Sequence, residues 1–149
     1  KAPEMLALQR QQLDGRLGKL GLLETPRAGW IRTIREALGM TMTQLAKRMG
    51  ISPQSLRSLE ERERKGTISL AKLREAAEAM DCELKIALVP RTSLEETVHR
   101  QAVRKTRERR NRILHTMRLE SQEEGVDEVL DEERAIDLWI TKRASRLWD

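Results

Sequence analysis

Twenty residues, Thr41 to Glu60, constrain the fold of this chain more than any others. Thr41 and Gln44 stand at the spacing of a capping box, which starts a short helix. That helix carries Leu45, Ala46 and Met49 on its apolar side and stops at Gly50, where a tight turn requires positive φ. Ser52 is placed as an N-cap, with Pro53 at the first helical position, which Pro favours. Leu56 and Leu59 then give a second helix its buried face. The small Ala46 suits a close helix crossing, and Ile51 fills the gap between the two helices. The pattern predicts two short helices locked together by a tight turn.

Similar patterning flanks this pair. Trp30, Ile31, Ile34 and Leu38 predict a preceding helix that ends at Gly39. Ser69 predicts an N-cap for a following helix bearing Leu70, Leu73, Ala76, Ala77 and Met80. Upstream, Leu6, Leu13, Leu17 and Leu20 fall at helical spacing with Arg10 completing the stripe, although Gly15 and Gly18 weaken it. Gly21 to Gly29, with Pro26, reads as a linker.

With its turn in register, Thr41–Glu60 resembles the helix-turn-helix of the lambda-repressor and Cro family, over roughly residues 28–80. The resemblance implies that the second helix of the motif enters the major groove of DNA, N-terminal end first. Gln54, Ser55, Arg57 and Ser58 would then face outward, with Arg62 further along. Gln matches an adenine edge and Arg a guanine edge. Thr43, Lys47 and Lys72 are the expected phosphate contacts, which set register rather than sequence. Two positions depart from the family pattern. Met42 stands where many members have a phosphate-binding Gln, and Pro53 occupies a position that often contacts bases.

Glu83 to Val89 changes period. Leu84, Ile86 and Leu88 alternate with Glu83, Lys85 and Ala87, which predicts one short strand ended by Pro90. A lone strand leaves a row of backbone donors and acceptors to pair, and a second copy across a two-fold axis would supply them. The alternative is a short extended tail covered by a helix. Asp81 to Arg91 is similar to the end of HipB-type antitoxins, which dimerise through a strand after the fourth helix. Leu84, Ile86 and Leu88 are therefore the expected dimerisation residues.

Composition agrees with helices. Tyr and Phe are absent from the 149 residues, which argues against an aromatic-rich β core. The lone Cys82 rules out an internal disulfide and any multi-cysteine zinc site, and is expected to be a small packed residue. His99 and His115 lack partners at ligand or triad spacing. No catalytic residue, metal or cofactor is expected, and the chain does not read as an enzyme. Lys1 to Arg16 has no signal-like apolar core, and no run reaches bilayer length, so the expected location is the cytoplasm, at the nucleoid. The net charge of +5 favours an anionic partner. It is unevenly placed: residues 91–112 carry 8 Lys and Arg against 3 Asp and Glu, whereas residues 120–137 carry 1 against 9.

Ser93 and Glu96 form a second capping-box pattern, which predicts a long helix to about Glu120, basic from Arg100 to Arg112. Val126, Val129, Leu130, Ile136, Ile140, Ala144 and Leu147 mark an amphipathic final helix beyond Gly125. A simple repressor does not need residues 93–149. Gly29-Trp30-Ile31-Arg32, Leu88-Val89-Pro90, His115-Thr116-Met117-Arg118-Leu119-Glu120 and Leu147-Trp148 together resemble the mobile mystery protein A family. That family travels with a Fic-domain partner, and Fic domains commonly transfer AMP to protein hydroxyls. The resemblance implies an inhibitory helix with Ser/Thr-x-x-x-Glu. Thr116 and Glu120 have that spacing and share one helix face, although Ser121 follows where Gly or Asn is usual.

The sequence thus predicts an all-α chain with one short intermolecular strand: a helical arm and linker over 1–27, a helix-turn-helix domain over 28–91, and a helical toxin-binding region over 92–149. The expected function is an antitoxin that binds a palindromic duplex operator as a homodimer, represses its own operon and neutralises a Fic-domain toxin. The alternatives are a plain dimeric repressor and the antitoxin of a HipA-type kinase.

Overall fold

The computed structural model describes residues 2–120 and 128–149, and side chains outside 119–131. Seven α-helices are described: α1 (Pro3–Leu17), α2 (Trp30–Ala37), α3 (Met42–Met49), α4 (Pro53–Lys65), α5 (Leu70–Ala79), α6 (Leu94–Glu120) and α7 (Glu128–Thr141), with 3-10 turns at Gly18–Leu22 and Ala144–Arg146. The fold is all-α. No helix among the described residues is long and apolar enough to cross a membrane. The chain divides into two compact units, Leu22–Ala87 and a second one made of residues 1–21 with Leu88–Asp149.

In the unit Leu22–Ala87, each start signal read from the sequence operates. Gln44 N donates to Thr41 Oγ1 at 3.1 Å, and Thr41 N donates to Gln44 Oε1 at 2.8 Å, closing the capping box of α3. Ser52 and Ser69 accept from the amides of Ser55 and Lys72 and cap α4 and α5. Gly50 ends α3 in the left-handed conformation at φ 69°. Ile31, Leu45, Ala46, Leu56, Ala76 and Met80 form the buried core, with Ile51 and Leu73 packed against it.

Two carboxylates that no local pattern announced complete this unit. Glu63, near the end of α4, accepts from the amides of Trp30 at 2.7 Å and Ile31 at 2.9 Å, and so caps the N-terminus of α2 across the fold. Negative charge is favoured there, because free amides and the helix dipole both point at it. Glu60 is buried with Arg35, whose Nε approaches it at 2.7 Å, and Arg35 Nη1 also donates to the Met40 carbonyl. The pair joins α2 to α4.

In the other unit, α6 packs on α1 and α7. Asp14 of α1 accepts from the amides of Leu94 and Glu95, while Ser93 Oγ accepts from Glu96. Arg10 sits in the α1 stripe as expected and pairs with Glu95 at 2.9 Å. That hydrogen bond holds the guanidinium above its ordinary range against the opposing effect of burial. Ala102 and Leu147 are fully buried. The final helix does not run through to Leu147. It stops at Thr141, and the chain folds back so that Gln101 Nε2 reaches the Leu147 carbonyl at 2.8 Å. Of the predicted final stripe, Val126 and the side chains of Val129 and Leu130 lie outside the described residues.

Glu83–Val89 forms no helix, and no strand is present among the described residues. A strand whose partner is a second copy has no ladder within one chain. Glu83 and Lys85 pair at 3.1 Å, and Leu84 is half-buried. Ile86 is 58% and Leu88 89% exposed. Cys82 corrects its expectation. It is exposed rather than packed, because the chain leaves the core after Met80, and its thiol lies 3.4 Å from the Met80 carbonyl.

Candidate nucleic-acid interface

The second helix of the tight pair, α4, presents one face outward because Leu56, Leu59 and Glu60 bury the other. Gln54, Ser55, Arg57 and Arg62 are exposed, and Ser58 is half-buried. Gln54 and Arg57 have no hydrogen-bond or ionic partner among the described residues, so their donors are available to a ligand. Ser55 is partly committed: its Oγ lies 2.9 Å from Ser52 Oγ, and its own amide donates to that capping oxygen. A hydroxyl keeps spare capacity in such an arrangement.

Thr43 and Lys47 are exposed one turn apart on α3 and share a face. Arg48, the neighbouring cation, is used internally, its Nε donating to the Ala79 carbonyl at 2.7 Å. Lys72 is exposed at the start of α5 but pairs with Glu75 at 3.1 Å. The residues expected from the sequence therefore all lie in the unit Leu22–Ala87, and all but the half-buried Ser58 are exposed.

Three features were missed. Arg57 shares a pocket of about 320 Å³ with Arg32, Arg35, Met42, Glu60 and Arg64. Arg64 lies two turns after Arg57 on the same helix face, and Arg32 enters from α2, where it also pairs with Glu36 at 2.8 Å. Met42 occupies the wall of this pocket, so the missing Gln of the family pattern stands beside an arginine cluster. The spacing of Arg57 and Arg64 was visible in the sequence, whereas the approach of Arg32 depends on how α2 docks. The third feature is Glu61, exposed one turn beyond Arg57 and paired with Lys65 at 3.0 Å. The hydrogen bond from Lys65 draws its carboxyl below the ordinary carboxylate range. With Glu61 neutralised by Lys65, the exposed Arg62 and Arg64 leave the outer C-terminal half of α4 cationic and able to attract phosphates.

Residues 31–86 match the helix-turn-helix family. They form a lambda-repressor and Cro-like helix-turn-helix domain. The match falls inside the unit Leu22–Ala87 and makes this domain a DNA-binding module, with α3 and α4 as the motif. No curated protein and no solved structure matches the chain.

Thr116 is exposed on α6, and its hydroxyl donates to the Arg112 carbonyl at 3.0 Å. The Glu120 side chain lies outside the described residues.

Proposed function

We propose that the chain is a dimeric transcriptional repressor that binds a palindromic operator in its own promoter and acts in the cytoplasm, at the nucleoid. The outward face of α4, with the unpartnered Gln54 and Arg57 at its N-terminal half, carries this reading. Gln54, Ser55, Arg57 and Ser58 read base edges, while Thr43, Lys47, Arg62 and Lys72 contact phosphates. Leu84, Ile86 and Leu88 join two copies, and the exposure of Ile86 and Leu88 in the single chain favours such a cover. Two copies on a two-fold axis place their recognition helices in half-sites about one helical turn apart. Footprinting on the promoter tests the proposal: two protected half-sites are expected, and Arg57→Ala should cost about 1–3 kcal/mol on that operator alone. An equal loss on unrelated duplexes would make Arg57 a phosphate contact instead.

A second function is assigned to residues 92–149, the neutralisation of a Fic-domain toxin. Its support is the likeness to mobile mystery protein A phrases and the exposed position of Thr116 near the end of α6. Glu120 would pair with an arginine in the toxin's nucleotide cleft, a charge-assisted bond. Glu120→Gly should release AMP transfer in a mixture with a Fic partner encoded alongside and ATP, while operator binding persists. Full silencing by Glu120→Gly would reject this role, and a kinase frame beside the gene would favour a HipA-type partner.

A further inference from the structure

Neither role above gives a part to any individual residue of the basic stretch of α6. Residues 100–112 carry seven Lys and Arg against the single Glu108. Arg100, Arg104, Arg107 and Asn111 recur at helical spacing along one exposed face, and the first three span about 10 Å at 1.5 Å per residue. Together with Val103 and Glu108 they line a shallow groove of about 450 Å³.

The guanidiniums on this face keep donors free. Arg104 gives only its Nε to Glu108, at 3.2 Å, and leaves both Nη groups unused. Arg100 gives Nη2 to the Thr92 hydroxyl at 3.2 Å. Arg107 has no partner among the described residues. The groove has one apolar lining residue, Val103, which gives a lipid surface little to insert into. What it offers is a regular row of cations. A DNA strand places one phosphate per about 3.4 Å of rise, so about 10 Å of helix faces three phosphates.

We propose that the Arg100, Arg104 and Arg107 face of α6 is a second, sequence-independent contact to the phosphate backbone of duplex DNA. The inference rests on the duplex-binding reading of residues 31–86, because a second phosphate contact in a chain that already binds duplex DNA adds to its affinity. The contact adds affinity and salt dependence, and no base discrimination.

The test uses the full chain and a labelled 40-base-pair duplex of arbitrary sequence, titrated by anisotropy between 50 and 200 mM KCl. Each lost phosphate contact flattens the slope of log K against log salt by about 0.9. For Arg100→Ala/Arg104→Ala/Arg107→Ala the expected flattening is about 2.7, so over this fourfold range the unaltered chain should lose about 40-fold more affinity than the variant. Arg100→Lys/Arg104→Lys/Arg107→Lys should keep the original slope, which excludes misfolding as the cause. Arg16→Ala/Lys19→Ala/Arg146→Ala removes the same charge from exposed positions of the same unit and should also leave the slope unchanged. Equal slopes for the two alanine triples would overturn the inference while leaving duplex binding intact. Failure of the unaltered chain to bind any duplex, its own promoter included, would overturn the DNA-binding reading and this inference with it.

Discussion

Replacing Glu60 by Leu tests how α2 is held to α4. Arg35 is 8% and Glu60 6% exposed, and the guanidinium reaches the carboxylate through Nε at 2.7 Å and Nη2 at 3.4 Å. Removing the carboxylate leaves a buried cation with the Met40 carbonyl as its remaining partner. Breaking a buried pair from one side costs about 3–5 kcal/mol, while replacing both partners by apolar side chains is often neutral or stabilising. The unit spans residues 22–87, and at about 0.05–0.15 kcal/mol per residue its whole stability is about 3–10 kcal/mol. Glu60→Leu should therefore lower its melting temperature by at least about 12 °C and weaken operator binding, since the helix it anchors carries Arg57. Arg35→Met/Glu60→Leu should recover most of the loss. The fluorescence of Trp30 reports this unit when Trp139 and Trp148 are replaced by Phe. A single variant losing less than about 1 kcal/mol, or a double variant as unstable as the single, would refute the argument.

Two further outcomes are expected. Ile86→Pro removes a ladder donor and fixes φ, which a paired strand tolerates poorly; sedimentation should show a monomer, and a persistent dimer would place the interface elsewhere. Gly29→Ala should destabilise the helix-turn-helix domain by about 1–3 kcal/mol from backbone strain at φ 83°, and by more because the added Cβ meets Glu63 Oε1 at 2.8 Å. Gly50→Ala, with φ 69° and open space around it, should cost less in the same melt.

The difference between what the sequence disclosed and what it concealed follows from the range of each interaction. Thr41 and Gln44, Ser52 with Pro53, Ser69 and Gly50 act within four residues, where chain geometry alone fixes the partner, and each was legible. Glu63 and Asp14 perform the same chemistry at the starts of α2 and α6, but from separations of 32 or more residues. In a linear reading Glu63 is one more charge in Glu60-Glu61-Arg62-Glu63-Arg64, with nothing to distinguish the capping carboxylate from the buried one beside it or from solvent-facing Glu61. The outward face of α4 was legible from period alone, because burial of Leu56 and Leu59 leaves Gln54 and Arg57 outside. Arg32 was not, since its place beside Arg57 depends on α2 being docked by Glu63 and Arg35. The helix α4 therefore does two jobs with adjoining residues. Glu60 and Glu63 hold α2 in place, and Arg57 and Arg64 face the pocket that α2 completes with Arg32. A substitution that loosens the first set should therefore disturb the placement of Arg57 and Arg32 without removing either residue.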